Sequence, residues 1–146
     1  MNGFFKMENE DLKEYAKLYV GVFNAPPWDD QWTIETAYKR LYDISNTSGF
    51  IGYKYVEDGE IKGSIMGNLE QWYEGFHYNL KEMFVATQLQ GKGIGSKLLM
   101  ELEKELKASD VNTVYLFTSK GDLTSHFYSN NGYEEIQSMV MMGKSI

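Results

Sequence analysis

The chain has no cysteine, which excludes disulfides, thiolate nucleophiles and Cys-ligated zinc or iron–sulfur centres. It has one arginine, Arg40, and its 14 basic residues are outnumbered by 21 acidic ones, for a net charge of −7. Neutralising nucleic-acid phosphates takes clustered Lys and Arg, so no nucleic-acid partner is expected. The two histidines, His77 and His126, lie far apart and give no metal-ligand spacing, so no metal is expected. With only two prolines the chain is neither collagen-like nor linker-rich. No apolar run is long enough to cross a membrane, and the opening MNGFFKMENEDLKEY reaches charged residues too early for a secretory signal. The expectation is a cytoplasmic protein without a membrane partner.

What is present suits one domain spanning residues 1–146, since domains cluster near roughly 100–150 residues. Hydrophobic residues make up 42% and aromatics 15%, enough for a core without covalent staples. No repeat or low-complexity tract interrupts the chain. Leu12, Tyr15, Ala16, Tyr19, Val22 and Phe23 follow helical spacing, so the pattern predicts a helix from about Asn9, as N-cap, to Phe23. Pro26 and Pro27 end it. A second helix is expected from near Thr33, with Ile34, Ala37, Tyr38, Leu41 and Tyr42 on one face. The aromatics Tyr15, Tyr19, Tyr38 and Tyr42 are read as core.

From Gly49 the apolar period becomes two. Phe50 to Glu57 reads as a strand, Asp58-Gly59 as a hairpin turn, and Ile61 to Leu69 as the return strand. A further strand is expected from about His77 to Val85. A helix bearing Ile94, Leu98, Leu99, Leu102 and Leu106 follows, then a buried strand from Val114 to Thr118. A short helix around Phe127 comes next, and Asn131-Gly132 should turn the chain into one or two last strands. The order β-α-α-β-β-β-α-β-α-β-β implies a mixed α/β (α+β) fold about one sheet.

The segment FVATQLQGKGIGSKLL runs strand, glycine turn, amphipathic helix. Unpaired N–H groups at a helix start and the positive end of its dipole favour an anion such as phosphate. Gly91, Gly93 and Gly95 let the backbone approach a ligand, and Lys92 and Lys97 add positive charge. A P-loop starting at Gly91 needs glycine where Ser96 stands, and a dinucleotide-binding G-x-G-x-x-G fails at the same residue. The spacing that fits is Gln-x-x-Gly-x-Gly, from Gln90, Gly93 and Gly95.

In this segment the sequence resembles the GNAT superfamily of N-acetyltransferases, whose acetyl-CoA motif pairs an apolar strand end at Val85 with Gln90 to Gly95 and a Leu-rich helix. A second segment, HFYSNNGYEE, is similar to that family's FY-x-x-x-G-[FY] stretch, through Phe127, Tyr128, Gly132 and Tyr133. The resemblance is strongest over residues 77–138. It implies a mostly antiparallel central sheet flanked by about four helices and acetyl-CoA as co-substrate. The diphosphate would rest on Gln90, Gly91, Lys92, Gly93, Ile94, Gly95 and Ser96. The pantetheine arm would pair with Met83, Phe84 and Val85 as an added strand. The Val85 N–H would polarise the thioester carbonyl, and Tyr128 would protonate the departing thiolate. Direct attack by the acceptor amine agrees with the absence of cysteine.

A base must still take a proton from the ammonium, and the sequence nominates Glu82, acting directly or through water. Period-two counting puts it on the face of Leu80 and Phe84. A carboxylate there is either held neutral by desolvation or paired with a cation. Other branches of the family carry the proposed base three residues earlier, where this chain has Asn79. Thr87 stands where proline is common, and Ser119 or Ser125 would replace a missing CoA-contacting asparagine. Trp28, Asp29, Glu70 and Trp72, with Glu82, are candidate acceptor contacts, since aromatics and acids favour a cationic amine. Trp28 and Trp72 read equally well as an aromatic plug over the sheet. Two other functions compete: a non-catalytic acyl-CoA-binding module, and a nucleotide-binding domain of another fold, which the glycine spacing disfavours. A peptide or protein amine is an alternative acceptor, and sheet edges in such domains often pair in homodimers.

Overall fold

The computed structural model describes residues 2–146. It divides into two compact units, one ending at Leu116 and one formed by Phe117–Ile146. The first unit holds a five-stranded sheet in the order β1-β2-β3-β4-β5. Its strands are β1 (Gly3–Lys6), β2 (Phe50–Glu57), β3 (Glu60–Trp72), β4 (Gly75–Val85) and β5 (Val111–Tyr115). The first four pair antiparallel, and β5 joins parallel to β4. Helices α1 (Leu12–Phe23), α2 (Ile34–Ser45) and α3 (Ile94–Lys107) belong to this unit, and α4 (Leu123–Asn130) to the second. The mixed, mostly antiparallel sheet with four helices is the architecture the sequence implied.

Local chemistry accounts for most element boundaries. The β2–β3 turn puts both Asp58 and Gly59 at positive φ, the conformation a tight hairpin favours. Thr33 caps α2 by accepting from the Thr36 N–H, while the Thr36 hydroxyl accepts from the Thr33 N–H. At α1 the expected Asn9 cap is replaced by a 3-10 turn over Asn9–Asp11, so the α-helix starts at Leu12 without a side-chain cap. Leu12, Tyr15, Ala16, Tyr19 and Val22 of α1 and Ala37, Leu41 and Ile44 of α2 pack over one sheet face, against Ile61, Met66 and Phe84. Tyr42, expected in the core, is 48% exposed and stacks on Tyr38 instead. On the opposite face, α3 buries Leu98, Leu99, Leu102 and Leu106; a side chain at Gly63 would touch Leu98.

Two strand expectations need correction. β5 covers Val111–Tyr115 rather than Val114 to Thr118, because its parallel partner is the start of β4, with Phe76 opposite Val111 and Asn79 opposite Tyr115. Among the described residues no strand follows α4. A strand exists only through its ladder, and the apolar run Met139 to Met142 lacks the polar alternation of a half-buried strand.

The register between β3 and β4 shifts between Met66 and Gly67. Glu82 stands opposite Met66 and Leu80 opposite Gly67, so Lys81 is the extra residue of a bulge. The strands approach closely here: a side-chain carbon at Gly67 would lie 2.1 Å from the Asn79 carbonyl oxygen and 2.8 Å from the Tyr78 ring. Tyr78, fully buried, crosses over Gly67 and donates to the Ile51 carbonyl at 2.7 Å. Gly67→Ala is therefore expected to cost at least the ~1–3 kcal/mol of an overpacked core. Urea unfolding measures the loss, and an unchanged midpoint would mean the backbones can separate freely.

Candidate active site

Between β4 and α3 the chain makes an open ring of donors. Gly91 and Gly93 have φ of 79° and 84°, and Gly93 is the N-cap of α3. The first backbone bond of the helix runs from the Lys97 N–H to the Gly93 carbonyl at 3.1 Å. Among the described residues no acceptor faces the N–H groups of Gly91 to Ser96, as expected where a helix start awaits an anion. The Gln90 side chain donates to the Val85 carbonyl at 3.0 Å, tying the turn to the end of β4. The pairing of β5 with β4 ends at Asn79 opposite Tyr115, yet β4 runs on to Val85. Met83, Phe84 and Val85 thus keep β3 on one edge and have no paired strand on the other among the described residues.

The bulge determines which side chains meet on the face covered by α1 and α2. Phe84, Glu82, Asn79 and His77 stand opposite Ser64, Met66, Asn68 and Glu70, which alternate along β3 and share that face. Leu80 turns to the α3 side, so the expectation that it shares a face with Glu82 fails, and Asn79 takes its place. Glu82 is 13% exposed and accepts from Arg40 Nε at 2.6 Å and from the Tyr19 hydroxyl at 2.7 Å. Of the two fates open to a carboxylate here, the structure shows pairing with a cation. Burial works against the Arg40 charge, but Glu82 outweighs it and raises the Arg40 pKa. Burial, and then Glu82, push the Tyr19 hydroxyl well above the ordinary tyrosine range. Arg40 also lines a cavity of about 370 Å³ with Lys39, Asp43 and Lys81.

Farther along the same face, Glu70 accepts from the Tyr115 hydroxyl at 2.6 Å and from Asn79 Nδ2 at 3.4 Å. Burial, followed by this hydrogen bond, pushes the Tyr115 pKa up to about 12. Trp72 stacks on His77 at 4.8 Å. Trp28 is half-buried, with its ring 5.1 Å from Phe23, and Asp29 is exposed at a φ of 51°. In the second unit, Asp122 caps α4 by accepting from Thr124 and Ser125. Tyr128 lies on that helix between the rings of Phe127, at 5.1 Å, and Tyr133, at 5.7 Å.

A sequence profile described as the acetyltransferase (GNAT) family matches residues 10–133. The chain belongs to that family. It is an acetyl-CoA-dependent N-acetyltransferase. Several solved structures share its fold at low identity. A possible acetyltransferase from Clostridium difficile is 14% identical over 100% of this chain and 99% of its own, with a TM-score of 0.83. An aminoglycoside acetyltransferase from an uncultured soil metagenomic sample, in complex with sisomicin, is 17% identical over 99% and 96%, with a TM-score of 0.75. A transcriptional regulator from Bacillus halodurans is 14% identical over 99% and 100%, with a TM-score of 0.78.

The unpaired N–H groups of this turn are of the kind that would hold the diphosphate of the acetyltransferase's co-substrate. Nothing lies within 4 Å of where a side chain would start at Gly91 or Gly93, so a ligand can come against the bare backbone. Sequence reasoning missed Arg40 and gave Tyr19 only a packing role. The available signal was that Arg40 is the single arginine, on a helix whose apolar face was already legible. Among the described residues no group of three His, Asp or Glu could hold a metal ion, and no helix is long and apolar enough to cross a membrane.

Two measurements check this geometry. Acetyl-CoA at about a hundredfold over its Kd should stabilise the fold by about 2.7 kcal/mol. Gly93→Ala should cost about 1–2 kcal/mol through its left-handed φ and shrink the acetyl-CoA shift. Thermal melts with and without ligand read both effects, and an undiminished shift in Gly93→Ala would clear the turn of a binding role. The raised Tyr115 pKa gives a pH dependence. Its folded form holds the proton more tightly than the unfolded chain, whose tyrosine titrates near 10. The stability from this group is therefore complete below about pH 10 and lost as pH rises through about 12. Tyr115→Phe should flatten that part of the curve of melting temperature against pH.

Proposed function

We propose that the enzyme acetylates the primary amine of a small cationic acceptor by direct attack in a ternary complex, with residues 1–146 acting as one domain. The observation that carries this reading is the placement of Glu82 on the α1/α2 face, three residues before the strand end that has an unpaired edge. The amine nitrogen attacks the thioester carbonyl carbon, and its surplus proton passes to Glu82 directly or through water. A C–N bond forms and the C–S bond breaks. The Val85 N–H stabilises the charge developing on the carbonyl oxygen. Tyr128 gives its proton to the leaving thiolate, yielding CoA and the acetamide. The family profile crosses both compact units, which supports reading residues 1–146 as a single domain.

Arg40 pairs with Glu82, and the Tyr19 hydroxyl fixes the orientation of its carboxyl group. Phe84 and Trp32 pack on Tyr19, whose hydroxyl binds Glu82, and such rings beside a carboxyl group suit an ammonium acceptor. Trp28, Asp29, Glu70 and Trp72 are assigned to acceptor binding on the same grounds. The sisomicin complex of the soil acetyltransferase supports a polyamine-bearing acceptor by similarity of fold.

Glu82→Gln should lower turnover by about 10²–10⁴-fold, the usual weight of a positioned proton acceptor. Tyr128→Phe should lower turnover while acetyl-CoA affinity barely changes. A thiol-release assay against a panel of amines, with calorimetry for acetyl-CoA, measures both. Full turnover in Tyr128→Phe would reassign the proton donor. A panel in which no amine releases CoA, despite normal acetyl-CoA binding, would favour a non-catalytic binding module.

A further inference from the structure

Two carboxylates occupy the α1/α2 face, and they are compensated differently. Glu82 has a guanidinium on it. Glu70 has only neutral donors, the Tyr115 hydroxyl and the Asn79 amide. Among the described residues no Lys, Arg or His nitrogen lies within 4 Å of its oxygens; its cross-strand neighbour His77 is engaged by Glu74. Next to it on the same face is Asn68, opposite Asn79 and 7% exposed. The Asn68 amide donates to the Leu69 carbonyl at 3.4 Å, which fixes its orientation, and its oxygen Oδ1 is buried without a partner. Glu70 thus offers negative charge with no positively charged donor among the described residues, and Asn68 beside it keeps an acceptor that is buried and unsatisfied. A primary ammonium is the complementary group, with three N–H donors and one charge. Trp72, stacked on His77 two residues beyond Glu70, adds an aromatic wall beside the position.

We infer that Glu70 and Asn68, held by Tyr115 and Asn79, seat a second ammonium of the acceptor, so that the preferred substrate class is a short aliphatic α,ω-diamine. The inference rests on the proposed acceptor face and sharpens it. Glu82 and Asn79 stand opposite Met66 and Asn68, two residues apart on β3, which is about 7 Å along a strand. A diamine with its reacting nitrogen near Glu82 can therefore place its far nitrogen beside Asn79 and Glu70.

Calorimetric titration of the protein saturated with CoA tests this without requiring turnover. The probes are cadaverine and n-pentylamine, which share a five-carbon chain and differ in the second amine. Cadaverine should bind at least about tenfold more tightly, the weight of one charge-assisted hydrogen bond. In Glu70→Gln, which keeps an acceptor for Tyr115 but removes the charge, the ratio of the two affinities should fall towards one. Equal affinities in the unaltered protein, or an unchanged ratio in Glu70→Gln, would overturn the inference. The first comparison needs no variant, so it stands even if Glu70→Gln folds poorly. Cadaverine that binds as expected but is never acetylated would count against the proposed catalysis and leave the ammonium seat in place.

Discussion

One extra residue in β4 decides what the sheet can do. Lys81 has no partner on β3, and the pleat on either side of it is out of phase by one. Without the bulge, Glu82 would share a face with Leu80, and Asn79 would point towards α3. With it, Glu82 and the amides of Asn68 and Asn79 lie on the same face of the sheet. Bulges cost ladder hydrogen bonds and recur next to active sites, where they re-aim side chains. Gly67 is the compensating residue on β3: only a residue without Cβ allows the Asn79 carbonyl to come this near.

The second constraint is charge. A buried carboxylate is costly unless it is partnered, and the chain has one guanidinium to offer. Arg40 goes to Glu82, with the Tyr19 hydroxyl completing its shell. Such a pair, 41% exposed on one side and 13% on the other, lies between the solvated case, worth about 0–1 kcal/mol, and the buried one. Its larger consequence is positional. α1 and α2 are both fixed to β4 at Glu82, so the core of the helix pair and the candidate site share one anchor. Among the described residues no cation pairs with Glu70, although the chain has 14 Lys and Arg.

Most of the fold was legible because its periods are clean. The heptad-like apolar spacing of α1 and α3 and the Asp58-Gly59 turn each follow from a local rule. What was not legible depended on partners. The β5 boundaries are set by the start of β4, not by the apolar run that follows Val114. The face of Glu82 depends on a bulge that period-two counting cannot see. The last strands, expected after Asn131-Gly132, are absent among the described residues, because a turn signal alone does not supply an edge to pair with. For the candidate site, the glycine turn and Glu82 are nominated from residue types together with the family resemblance. Arg40, Asn68 and Tyr115 cannot be, because their roles come from cross-strand and helix-to-sheet neighbours far away in sequence.

The glycines show why a motif can be read for function. At Gly67 the reason for glycine is internal: backbone and ring atoms already fill the space of a side chain. At Gly91 and Gly93 nothing of the protein is within 4 Å, and only the positive φ asks for glycine. Asn or Asp tolerates such a conformation at modest cost, and this chain uses Asp at three positive-φ positions, Asp29, Asp58 and Asp110. In the α3 turn an aspartate would set a negative charge beside unsatisfied N–H groups, where it would repel an anion. Folding alone would accept it, whereas binding a diphosphate would not. The bare backbone at Gly91 and Gly93 is therefore what an anion site would require, beyond what the turn itself asks for.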